Sequence, residues 1–188
     1  SLGNIPPNTE TQAGHTIWMG SEKYFINPLN FTSHKLRRIT RSTFASELLA
    51  LVETVDDLIY MLNTIGEVFP KTNPVVLIDC KSVIDNLMSD CPKTSEKRLI
   101  RELNSLRETL KSHGIKLIHV SGNDNPADVL TKWKKFSTAM SEMIRTNKYH
   151  MEGGYSLTDT FYIDVTSVFL DTYTSSTLFV TALMEAGA

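Results

Sequence analysis

Val75-Val76-Leu77-Ile78 is an unbroken apolar run of strand length, closed by Asp79. A strand with one wet face alternates apolar and polar residues, whereas a run without alternation has to be covered on both sides. The fold must therefore place packing layers above and below this segment. Upstream, Leu48, Leu51, Val52, Val55, Leu58, Ile59, Leu62 and Ile65 recur at the helical period. Ser42 or Thr43 can cap that helix, and Gly66 and Pro70 end it. Downstream, Ser82 can start a short helix, and Ser95 can cap another in which Leu99, Leu103, Leu106 and Leu110 share a face. Gly114 sits where that helix needs its C′ glycine.

Ile115 to Val120 reads as a second strand of this kind, after which Asn125 caps and Pro126 takes the first helical position. Helices are expected over about 127–135 and 138–146, and the amino-terminal part reads as a hairpin. Its first strand covers Ala13 to Met19, and Gly20-Ser21 turns into a second around Tyr24-Phe25-Ile26. The order hairpin, helix, strand, helix, helix, strand, helix predicts a mixed α/β sheet with parallel crossovers and helices on its faces.

The formal charge of −2 gives no global pull toward nucleic acid, so any such binding must come from local patches. Two cysteines, Cys80 and Cys91, make no disulfide scaffold, and no Cys/His cluster has zinc-ligand spacing. No signal peptide is visible and no apolar stretch approaches a membrane span, so an intracellular setting without membrane partners is expected. After Glu152-Gly153-Gly154 the composition changes: residues 155–188 are rich in Thr, Ser, Phe and Val, and lack Lys and Arg. The expected organisation is one α/β domain over 1–150 and a Thr/Ser-rich extension over 151–188.

Three carboxylates stand at the ends of these elements. Glu47 lies in Ser42-Thr43-Phe44-Ala45-Ser46-Glu47, on the margin of the apolar stripe, while Glu53, Asp56 and Asp57 fall on the open face. Asp79 ends the apolar strand, and Asp128 lies in Asn125-Pro126-Ala127-Asp128-Val129-Leu130-Thr131-Lys132. Singly, each has a structural explanation: Glu47 could pair with Arg41, Asp79 could cap the next helix, and Asp128 could complement a helix dipole. Jointly, carboxylates from separate segments are what a divalent-metal phosphodiesterase uses to clamp attacking and leaving oxygens.

These stretches, with Arg38-Ile39-Thr40-Arg41 before the first acid and Lys97-Arg98-Leu99 at a helix start, resemble the ribonuclease H domain of retrotransposon Pol polyproteins, most closely copia-type elements. The resemblance covers about residues 1–150. It implies a ribonuclease H-like fold and cleavage of the RNA strand of RNA–DNA hybrids with two Mg²⁺ (or Mn²⁺) ions. It also implies an upstream reverse transcriptase in the same polyprotein. By position, Glu47, Asp79 and Asp128 match the family's acids as catalytic and metal-holding residues. The family's first strand and its Asp would lie before Ser1, leaving this chain truncated there and inactive alone. Asn123 occupies the loop nearest the last acid and His119 the preceding strand, so no proton shuttle is assigned.

Arg41, Lys97, Arg98, Arg101 and Lys132 are candidates for phosphate contact, against the ordinary reading of solvated helix faces. His15, His34, His113 and His150 fit no ligand spacing. In the tail, Thr160-Phe161-Tyr162-Ile163-Asp164-Val165-Thr166-Ser167 has the pattern of a strand bearing an acid. Asp164 could replace the absent acid if this strand filled the central slot; an unrelated extension is the alternative. The competing class is a catalytically inactive retroelement fragment or a domesticated binding module.

Overall fold

The computed structural model describes residues 11–21, 25–38, 40–69, 72–94, 96–122, 124–131, 138–147 and 176–185. The hairpin strands are β1 (Gln12–Ser21) and β2 (Phe25–Lys35). β2 runs well past the three residues expected of it, straight through Asn27-Pro28. The register explains this: Ile17 faces Asn30 and Trp18 faces Pro28, so Leu29 is the extra residue of a bulge. β2 lies at the edge of the sheet, where a proline without an N–H leaves no inner ladder broken.

Helix α1 (Thr43–Ile65) begins where Ser42 accepts a hydrogen bond from Ala45 N–H at 3.1 Å, and it ends with Gly66 N–H donating to Leu62 at 2.8 Å. Strand β3 (Thr72–Ile78) leads into α2 (Lys81–Met88) and then α3 (Lys97–Ser112). The cap of α3 is Glu96 instead of Ser95, and it makes no side-chain capping bond; Ser95 itself lies outside the described residues. Gly114 has φ +62, and Ile115 N–H reaches back to Leu110 at 2.9 Å, the six-to-one closure that a left-handed glycine permits. Strand β4 (Lys116–His119), α4 (Asp128–Thr131), α5 (Thr138–Thr146) and β5 (Ser176–Glu185) complete the described elements.

The sheet order is β2-β1-β5-β3-β4. β5 is antiparallel to β1 and parallel to β3, and β3 is parallel to β4. The α/β expectation thus holds, with one correction. Ten residues of the tail set apart as an extension form the middle strand. Without them β1 and β3 would each face the interior with an unpaired row of backbone groups. The slot imagined for residues 160–167 is filled by 176–185; Asp164 lies outside the described residues.

Both faces of β3 are covered, as its sequence demands. Val76 and Ile78 join Ile17, Leu117 and the buried leucines of α1 and α3 on one side. Val75 and Leu77 join Trp18, Ile118, Met140 and Met143 on the other. Burying a side chain of this size contributes about 1.5–3 kcal/mol, so these layers are the principal favourable term in holding the sheet together. Among the described residues, no helix is long and apolar enough to cross a membrane.

Candidate functional site

Glu47 lies in the second turn of α1 and is only 8% exposed. The N-terminal turns of α1 are packed down by Ser46, whose hydroxyl donates to Thr40 Oγ1 at 2.7 Å, and by buried Ala45 and Leu48. A carboxylate at that depth is costly unless polar groups or a cation meet it. Asp79 follows the last residue of β3 and is half-buried. The cap position of α2 belongs to Cys80, which makes no side-chain capping bond.

Cys80 reports on both acids. Burial pushes its thiol above the ordinary cysteine range, opposed by hydrogen bonding from Ser82 and the Val83 N–H. The negative charges of Glu47 and Asp79 push it further up. Cys80 packs at the margin of the core cluster that includes Ala45, Leu48 and Ile78.

Asp128 is the first residue of α4 and is 2% exposed. Buried Asn125 shapes the approach: its side-chain oxygen accepts from Ala127 N–H at 3.0 Å, and its carbonyl accepts from Asp128 N–H at 3.2 Å. α4 packs closely on β1 and β5. Gly14 permits this, because a Cβ there would stand 2.8 Å from Leu130 Cβ. Ser33 of β2 fastens the same helix by donating to the Leu130 carbonyl at 2.6 Å. The turn before α4 also lies against the second acid, since a Cβ on Gly122 would be 3.4 Å from Asp79 Oδ2.

The three sequence-selected acids therefore lie on three separate segments, the second turn of α1, the residue after β3 and the first residue of α4, and two of them are buried. Oxygen donors of this kind suit a hard divalent cation such as Mg²⁺ or Mn²⁺. As the side chains stand, among the described residues no three of His, Cys, Asp and Glu are gathered within reach of one ion. The donor chemistry fits; the gathering is incomplete.

Arg41 is exposed just before α1, and Lys97, Arg98 and Arg101 are exposed on α3. Arg98 is paired with Glu96 at 2.8 Å, and Arg38 reaches across to Glu102 of α3 at 2.6 Å. Lys132 lies outside the described residues.

A second polar cluster escaped the sequence. Glu53 and Asp57, read as solvated charges, instead meet the hairpin: His34 Nε2 is 2.8 Å from Glu53, and His15 Nε2 is 3.0 Å from Asp57 Oδ2. His15 is 1% exposed, and burial holds its pKa below the ordinary value, against the pull of Asp57. The clue was the four-residue spacing of the acids, which became legible only with the hairpin register.

No family model matches the chain, and no solved structure matches it. Over 105 residues, 55% of its length, the chain is 27% identical to the retrovirus-related Pol polyprotein from transposon TNT 1-94 of Nicotiana tabacum. It spans 8% of that polyprotein. The similarity supports an origin in a retrotransposon Pol polyprotein.

Proposed function

We propose that this chain is the ribonuclease H-type module of a retroelement Pol polyprotein, with RNA–DNA hybrid as substrate. What supports the reading is that Glu47 and Asp128 are buried carboxylates on two separate elements, α1 and α4, while Asp79 closes β3. Burying a carboxylate is costly, and buried acids are enriched at functional sites. The Pol similarity supplies independent support.

In this reading Glu47, Asp79 and Asp128 would hold the divalent ions, which supply Lewis acidity at the scissile phosphodiester when bound. Asn125 and Gly14 keep Asp128 in place by fixing the start of α4. Arg41, Lys97, Arg98 and Arg101 would meet phosphates, and the 2′-hydroxyl with groove shape would distinguish the RNA strand.

The test is Mg²⁺-dependent cleavage of a labelled RNA–DNA hybrid, run on the 188-residue chain and on its parent polyprotein, with Asp128→Asn alongside. Cleavage in the polyprotein that falls by a hundredfold or more (an order-of-magnitude expectation for losing a metal-binding group) supports it. No metal-dependent cutting in either form rejects it.

One observation favours a second reading, a module that binds hybrids without cutting them. The β3–β5 ladder ends with Ile78 opposite Ala182, and Ser176–Ala182, the part of β5 that pairs with β3, carries no acidic residue. Hybrid binding with no cleavage in the polyprotein would select it.

A further inference from the structure

We propose, on the basis of the nuclease reading above, that His119 is a positioning residue joining the segment that carries Asp128 to the strand end that carries Asp79. The parallel β3–β4 ladder finishes at Ile78 opposite His119, with Val120 N–H donating to the Ile78 carbonyl at 3.0 Å. The ladder therefore stops one residue short of Asp79. There the imidazole continues it, with His119 Nε2 standing 3.2 Å from the Asp79 carbonyl oxygen. A carbonyl only accepts, so Nε2 is the donor. That is true of the Nε2–H neutral ring and of the imidazolium alike, and the contact needs no change of charge.

The consequence is geometric. The Asp79 carbonyl belongs to the peptide plane shared with Cys80, and holding that plane restricts the backbone rotation that aims the Asp79 carboxylate. From His119 the sequence runs through Gly122, where an added Cβ would meet Asp79 Oδ2 at 3.4 Å, to buried Asn125 and on to Asp128. One side chain thus ties two carboxylates, far apart in sequence, to a common frame. Groups that orient metal-binding side chains in this way typically alter metal affinity by about 10–100-fold when removed.

Two substitutions test this in the full chain. His119→Gln places an amide N–H close to the position of imidazole Nε2, and His119→Leu fills the volume without a donor. The expected result for His119→Leu is a displaced ¹⁵N resonance of the Cys80 amide and about tenfold weaker Mn²⁺ binding, with a lower kcat on hybrid and KM little changed when the same substitution is carried in the parent polyprotein. His119→Gln restores all three toward wild type. A His119→Leu protein with the wild-type Cys80 resonance and Mn²⁺ affinity overturns the proposal, as does a His119→Gln protein impaired to the same degree. Absence of Mn²⁺ binding by the wild-type chain together with absence of cleavage by the wild-type polyprotein would reject the nuclease reading instead. The Cys80 resonance in the two variants would then still decide whether His119 holds Asp79.

Discussion

Replacing Gly14 by Ala adds one methyl group at the tightest approach between the sheet and α4. The new Cβ would lie 2.8 Å from Leu130 Cβ, 3.1 Å from Thr131 Cγ2 and 3.5 Å from the Leu130 carbonyl carbon. Carbon atoms pack best at about 3.5–4.0 Å, so the first contact is short by roughly 1 Å. Turning the Leu130 side chain gives no relief, because its Cβ moves only with the backbone. Gly14 cannot retreat either, since it pairs with Ser33 on one side and Leu183 on the other. The start of α4 must therefore shift outward against the Ser33 anchor on the Leu130 carbonyl.

Overpacking of this kind costs about 1–3 kcal/mol, and relieving the unfolded-state freedom of glycine returns about 0.5–1 kcal/mol. The net expectation is a loss of about 0.5–2 kcal/mol, or about 1–8 °C in Tm for a chain of this size. Urea and thermal denaturation followed by circular dichroism measure it. Gly122→Ala is the control, because its added methyl would meet Asp79 Oδ2 at an ordinary 3.4 Å. A Gly14→Ala protein as stable as wild type, or more so, refutes the claim that glycine is there for the approach of α4.

Three further outcomes are expected. A chain ending at residue 175 loses β5 and leaves Gln12–Gly20 and Thr72–Ile78 without their inner partners. At about 1–3 kcal/mol per stranded group this exceeds a typical total stability of about 5–15 kcal/mol, so no cooperative melt should remain, and observing one would contradict the sheet order. His15 is held neutral by burial, with a folded pKa below the unfolded value of about 6.5. Its stabilising contribution is complete above that value and is lost as pH falls through the folded pKa. Urea midpoints should therefore drop between pH 7.5 and pH 5.5, and less so in His15→Gln; equal slopes would count against it. Arg107 donates to the carbonyls of Leu87 at 2.8 Å and Ser89 at 2.9 Å, closing the C-terminal end of α2. Arg107→Ala should cost about 1.5–3 kcal/mol in chemical denaturation, and Arg107→Lys should recover only part, because an ammonium lacks the planar fork.

Local sequence determined those elements whose pattern is self-sufficient. The β3 run had to be buried on both faces, and α1 and α3 could be placed from the period of their leucines and valines, because periodicity and caps are properties of neighbouring residues. The three acids were legible for the same reason, as polar residues at the ends of apolar patterns. What only the tertiary structure decided is whatever depends on residues distant in the chain. The last ten described residues lie in the middle of the sheet, which no local pattern announces, since any apolar strand of that length could pair or remain apart. The partnering of Glu53 and Asp57 with His34 and His15 required the hairpin register, and the contact of His119 with the Asp79 carbonyl required β3 and β4 to finish side by side. Strand slots and shared polar contacts are filled by competition across the whole chain, so their occupants emerge only when the sheet closes.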